Sequence, residues 1–548
     1  MGDKIILTEV LEASNLTDAY TEYTPQTLLN ELRHIGEEFI VRYSDLDDRN
    51  VLGEPEDQRN HDEDKTFTVD DAVEHLGFGR FQLKLSLLTG CAWMADAMEL
   101  MLLSVLSPAL ACEWNISAVQ QASIMMVVFS GMMLSSTFWG KICDRFGRKT
   151  VRVNEILIKD SLKGLMFSTL MACSMGVISS LSTNFYTFLL FRGLTGFGIG
   201  GVSQSITLYS EFLPSAHRAK CVSLIESFWS IGVVLEAVLA YFIMTTFNWR
   251  LLVLLSSLPL GIFSLMSFWL PESARYYIAS GKSDKALAIL QKAARENRCQ
   301  LPSGTLVASH SNTAETRGDF SGLLTSEYRT TSLLLWIIWS VNAFCYYGNV
   351  QFATVLVQSH DECHGGNAND TQTTQCKPLT KDDYELLVYT TIAEFPGLIL
   401  TLFIIEYLGR KKTMALEFGI FMSFTLLLFL CLGRTMVTVF VFIARAFISG
   451  AFQCAYVYTP EVYPTTLRAV GLGTASAMGR IGAISSPLVV QVLSSYWLAL
   501  PIGIYSVAAF LGVFAAISLP IETKGRKMVV RITHLAQHRK NLIPKISL

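Results

Sequence analysis

Apolar stretches of about twenty residues recur from residue 85 to residue 519, and this repetition constrains the chain more than any other feature. A hydrocarbon core about 30 Å thick takes about 20 helical residues to cross. Twelve such spans are expected: 86–110, 120–140, 164–183, 186–212, 221–243, 250–270, 332–357, 384–406, 413–432, 436–458, 469–493 and 498–519. Only helices and closed barrels satisfy their backbone in lipid, and these runs lack the alternation a barrel needs. The fold class expected is therefore an all-α membrane protein. Composition agrees. Charged residues make up 16% of the chain and the mean hydropathy is +0.39, against about 25% charged in a soluble domain.

Charge is distributed unevenly. Residues 1–80 hold 20 acidic and 7 basic side chains, whereas the remainder is net positive. The head reads as an acidic, mostly disordered tail. Ile5-Ile6-Leu7 is too short for a secretory signal, and Ile6 stands where a myristoylation signal needs Ser or Thr. The first span is therefore expected to act as the targeting signal. Basic residues of the body crowd the loops on one side: Lys141, Arg145, Arg148, Lys149, Arg218, Lys220, Arg275, Arg410, Lys411, Lys412 and Arg468. The positive-inside rule makes that side cytoplasmic, with both termini there. This accounts for the basic residues without nucleic acid. The opposite loops carry the sequons at Asn115 and Asn369, and Cys363 with Cys376, a candidate disulfide.

The chain repeats itself. Gly140-Lys-Ile-Cys-Asp144-Arg145-Phe-Gly-Arg148-Lys149 matches Glu406-Tyr-Leu-Gly-Arg410-Lys411, and Arg192 matches Arg445. Glu211-Phe-Leu-Pro with Arg218 matches Glu461-Val-Tyr-Pro with Arg468. The first pair of landmarks lies 262 residues apart and the arginines 253. The first half thus carries an insertion of about nine residues between Lys149 and Arg192, expected at Arg152–Lys163 as a segment outside the membrane. The expected domains are an acidic tail (1–80), a six-helix bundle (81–270), a cytoplasmic linker with a helix over 283–297 (271–330), a second six-helix bundle (331–523) and a basic tail (524–548).

Two parallel six-helix repeats are the architecture of the major facilitator superfamily. Gly140–Lys149 resembles its signature loop. The resemblance implies a gating latch of Asp144, Arg145, Arg148, Glu211, Arg218, Glu406, Arg410, Glu461 and Arg468. Trp93-Met-Ala-Asp96-Ala-Met-Glu99, the Gly-rich run from Phe191 to Gly201, Ala444–Gly450 and Pro520–Arg526 are similar to the synaptic vesicle 2-related (SVOP-like) transporters. The resemblance covers about residues 65–526. It implies a transporter in an intracellular vesicle or the plasma membrane. The seventh span, with Asn342, Tyr346 and Tyr347, resembles organic-ion transporters and lacks the Gln-rich pattern of sugar binders.

Each ionisable group inside a span costs about 2.5–3.5 kcal/mol on insertion scales and needs a reason. Asp96 and Glu99 share a face of the first span. By resemblance to proton-coupled members, Asp96 is expected to pair with Arg192, and Asp96, Glu99 and Arg192 form the candidate proton-coupling set. Arg480 resembles an arginine that organic-anion transporters direct into their cavity, or else pairs with Glu394 or Glu236. Arg480, Glu394, Tyr346, Tyr347 and Trp229 are the candidate substrate contacts. Gly196, Gly198 and Gly200 suit close helix packing better than a phosphate. No Walker A sequence, zinc-ligand spacing or nucleophile elbow appears, so neither an enzyme, a cofactor nor a metal is expected. The leading expectation is a transporter of a small organic ion working by alternating access, with the proton as candidate coupling ion. The competing one is a non-transporting receptor or vesicle-trafficking protein on the same scaffold.

Overall fold

The computed structural model describes residues 66–146, 164–279, 281–307, 320–358, 379–430 and 433–524. The insertion expected at Arg152–Lys163, Arg148, and the loop holding Cys363, Asn369 and Cys376 lie outside the described residues.

Among the described residues, eleven helices are long and apolar enough to cross a membrane. In chain order they are Arg80–Trp114, Ala118–Ser136, Phe185–Glu211, Leu224–Thr246, Trp249–Trp269, Arg329–Gln358, Lys381–Leu408, Arg410–Leu430, Arg434–Val462, Val470–Leu493 and Ala499–Ser518. The shorter apolar helix Gly164–Ser180 takes the third place, making twelve. They are numbered here as spans one to twelve. All twelve fall where apolar periodicity places them.

Small residues set how closely the spans pack. A Cβ at Gly196 would meet the Val128 carbonyl oxygen of span two at 2.3 Å, and one at Gly198 the Ala172 nitrogen of span three at 2.6 Å. These glycines let span four lie directly against both neighbours, as the sequence suggests. In span eleven, Pro487 precedes a π-helical segment, Val489–Leu493.

Spans one to six form one bundle and seven to twelve the other. The bundles meet where span two faces span eleven and span five faces span eight. Side-chain ties between them, among the described residues, lie from mid-span toward the side away from the basic loops. They include Gln351 Nε2 to Met125 Sδ at 2.7 Å, Lys381 Nζ 5.5 Å from the centre of the Tyr241 ring, and Phe129 against Tyr347 at 4.6 Å.

The expected tail gives way to folded chain at Thr66. Strand β1 (Thr66–Phe67) pairs in parallel with β2 (Thr305–Leu306) of the linker, Thr66 opposite Thr305. Helix Val69–Leu76 follows, opened by a capping box between Thr68 and Asp71. The backbone and hydroxyl bonds from Thr68 hold the Asp71 carboxyl below its usual range. This helix buries Val69, Ala72, Val73 and Leu76, and packs on the linker helix Ser283–Asn297, which buries Ala286, Leu290, Ala293 and Ala294. The linker helix has the bounds the sequence predicts.

Asn297 fastens this layer to span one. Its Oδ1 accepts from the Phe81 amide at 2.9 Å, and its Nδ2 donates to Gln82 Oε1 at 2.8 Å and to the Leu76 carbonyl at 3.3 Å. It supplies a cap that Gly79 has no side chain to give. Asn297→Ala removes all three bonds and is expected to cost about 1–3 kcal/mol. Thermal unfolding in detergent should show a lowered midpoint; an unchanged midpoint would mean the linker is not coupled to the bundle.

Candidate substrate cavity and buried charges

Each bundle holds one arginine with no solvent exposure, Arg192 in span four and Arg445 in span ten. A guanidinium in that setting requires a carboxylate. Arg192 Nη1 lies 2.6 Å from Glu99 Oε2, and Ser257 donates to the other Glu99 oxygen at 3.0 Å. The expected pairing of Arg192 with Asp96 is thus corrected. Residues three apart share a helix face only roughly, and the rotation of span one turns Glu99 into the bundle and Asp96 toward the centre of the protein. Arg445 pairs with Glu394 of span eight at 3.0 Å. Its acid comes from span eight because the seventh span carries Asn342 and Cys345 where the first has Asp96 and Glu99. Glu394 is therefore corrected from substrate contact to ion-pair partner. It lies behind Tyr346, whose hydroxyl donates to it at 2.9 Å.

Between the bundles lies a cavity lined by residues of both. Its charged lining is Asp96 and Glu226 from the first bundle and Arg480 from the second. Arg480 faces neither Glu394 nor Glu236. Its charged neighbour is Asp96, and Nη1 donates to the Met132 carbonyl of span two at 2.5 Å. Asp96 Oδ1 is buried with no hydrogen-bond partner. Tyr346, Tyr347 and Trp229 line the cavity as expected. Trp229 Nε1 donates to the Tyr346 hydroxyl at 2.8 Å, joining the bundles at mid-span. Ser203 and Ser476 carry the lining on toward the basic side.

The candidate substrate contacts leave out Trp93, Glu226, Tyr456 and Gln453, which also line the cavity. Trp93 lies three residues before Asp96, and Glu226 three before Trp229, so the helical period around the chosen residues could have found both. Tyr456 and Gln453, on span ten, follow Arg445 by three and two turns. Both polar atoms of the Gln453 amide are buried without a partner.

The expected latch is visible in part. Arg410 Nε and Nη2 grip Glu461 at 2.9 and 2.8 Å, inside the second bundle. Glu522 accepts from the backbone amides of Arg410 and Lys411 at 2.9 and 3.1 Å, placing a carboxylate on the N-terminus of span nine. Glu211 and Arg468 are both engaged, and Glu406 is exposed. The side chains of Asp144, Arg145 and Arg218 are outside those described. Asn115 is exposed at the end of span one in a left-handed turn. Cys112 is disulfide-bonded, with its partner outside the described residues.

The family model described as "Sugar (and other) transporter" matches residues 78–529. The chain belongs to that family, within the major facilitator superfamily. It is a multi-pass membrane transporter, of a family of transporters and not of enzymes. "Putative transporter svop-1" of Caenorhabditis elegans is 67% identical over 96% of this chain and 99% of its own length. The "Synaptic vesicle 2-related protein" of Xenopus laevis is 51% identical over 84% of this chain and 82% of its own. "Organic cation/carnitine transporter 7" of Arabidopsis thaliana is 33% identical over 85% and 97%. Among solved structures, the inward-open xylose transporter XylE of E. coli matches with a TM-score of 0.59 at 15% identity. That match covers 82% of this chain and 98% of XylE, and shows the shared fold.

In this transporter the Glu99–Arg192 pair is wholly enclosed, so removing one partner strands a charge. Glu99→Gln is expected to cost about 3–5 kcal/mol. The double variant Glu99→Gln/Arg192→Met should recover part of that loss in thermal unfolding. Additive losses would mean the two groups act independently.

Proposed function

We propose that the protein transports a small organic ion by alternating access, coupled to protons through Asp96. The observation that carries this reading is the shared position of Asp96 and Arg480 on the cavity wall, one from each bundle. Around Asp96 stand Glu99 on the same span, Arg480 of span eleven, Tyr347 of span seven and Tyr456 of span ten. An ionised Asp96 and a substrate anion compete for the same guanidinium. A proton on Asp96 releases Arg480 to the substrate; loss of the proton restores the internal pair and expels the anion. Proton and substrate then travel together, because each stabilises the state the other needs.

Glu99 and Arg192 serve as the structural mate of this switch, holding spans one and four together while Asp96 titrates. The ties between bundles lie on the side away from the basic loops, which supports an inward-facing arrangement with the basic side cytoplasmic. An organic ion as substrate agrees with the organic cation transporter among the relatives, and a vesicle membrane with the synaptic vesicle 2-related ones.

The test is uptake into proteoliposomes from a mixed metabolite pool, read by mass spectrometry across a pH gradient. Wild-type uptake of at least one organic ion should rise with the inward proton gradient. Asp96→Asn should abolish the pH dependence, and Arg480→Gln should abolish accumulation. Gradient-dependent uptake by Asp96→Asn equal to wild type would remove the coupling role.

A further inference from the structure

The cavity wall carries two kinds of chemistry. Trp93 and Trp229 lie with ring centres 5.4 Å apart and planes tilted by 53°. Both indole N–H groups are already used inside the protein: Trp93 Nε1 donates to Glu226 Oε2 at 3.4 Å and Trp229 Nε1 to Tyr346. What these rings still offer a ligand is π surface. The bond from Trp93 is long and is the only one Glu226 accepts among the described residues, so most of the capacity of this carboxylate faces the cavity. Two aromatic faces beside a carboxylate suit a cation, above all an alkylated ammonium that cannot use many hydrogen bonds. A polyol would find both indole donors occupied, and an anion would meet Glu226.

Arg480, Tyr347 and Tyr456 also line the cavity, and Arg480 is its cation. With Asp96 protonated and Glu226 ionised, the wall presents one negative and one positive group.

We infer that Glu226, Trp93 and Trp229 form a cation subsite, and that the transported ion is a zwitterion whose ammonium sits there while its anionic group meets Arg480. This rests on the transport reading above and narrows its substrate class.

The experiment is equilibrium binding to the purified full chain in nanodiscs, read by tryptophan fluorescence. Three probes are compared from mildly acidic to mildly alkaline pH: phenyltrimethylammonium, benzoate, and a trimethylammonio-benzoate carrying both groups. The zwitterion should bind at least about tenfold more tightly than either parent. Glu226→Gln should weaken phenyltrimethylammonium and the zwitterion about tenfold and leave benzoate unchanged; Arg480→Gln should do the reverse. Glu226→Asp, which keeps the charge, should retain most of the cation affinity and serves if the glutamine variant fails to fold. Benzoate binding as tightly as the zwitterion, cation affinity indifferent to both Glu226 substitutions, or binding of none of the probes would overturn the inference. Zwitterion binding without uptake in liposomes would instead leave the subsite standing and contradict the transport reading.

Discussion

An unpaired charge in the hydrocarbon core costs several kcal/mol, and the placement of the buried arginines described in this protein answers to that cost. Arg192 and Arg445 are the clearest cases. Each is sealed within its own bundle and each lies on a carboxylate, Glu99 or Glu394. The pairs fix spans one and four, and spans eight and ten, as rigid units. With Arg192 and Arg445 each paired inside its own half, Asp96 and Arg480 are the opposite charges that the two halves present to the cavity. The parts that stay together during transport and the parts that separate are thereby divided by electrostatics.

The same division explains the outer closure and the linker. Ties between the halves beyond mid-span are soft ones: an amide against a thioether, an ammonium over a phenol ring, a tilted aromatic pair. Contacts of this kind are worth about a kcal/mol or less each at partly exposed sites, so breaking them together remains feasible. The strand and helix before span one instead join the linker helix through a two-stranded sheet and the bonds of Asn297. Those bonds tie the layer to the first bundle. The latch visible in the second bundle, Arg410 with Glu461 and Glu522, likewise keeps its bonds inside one half.

Most of the fold is legible in the sequence, because hydrophobic length and loop charge are properties of single segments. The twelve spans, the two repeats and the linker helix all follow from such local signals. The cavity is legible in kind but not in pairing. Asp96 and Glu99 are three residues apart, and which of them meets Arg192 depends on how span one is rotated, which tertiary packing decides. The repeat places Arg445 opposite Arg192 but says nothing of its acid, since the second half moved the carboxylate from the first helix of the repeat to its second. Gln453 is not legible because one uncharged polar residue in an apolar helix gives no period to read. Folded chain at Thr66–Leu76 was hidden by the acid-rich composition around it; its four buried apolar residues find their partner only 220 residues later in the linker.

The central claim is that the halves move relative to one another under control of the charge on Asp96 facing the cavity it shares with Arg480, and the most direct measurement is a distance between the halves. Spin labels at Val119, at the outer end of span two, and at Trp497, beside the outer end of span eleven, occupy exposed positions on opposite halves. Pulsed electron–electron resonance in nanodiscs should give two separations whose populations exchange as pH crosses the titration of Asp96, and Asp96→Asn should hold the protein in the mixture seen at low pH. A single separation, unchanged by pH and by Asp96→Asn, would contradict the account and identify the molecule as a static scaffold.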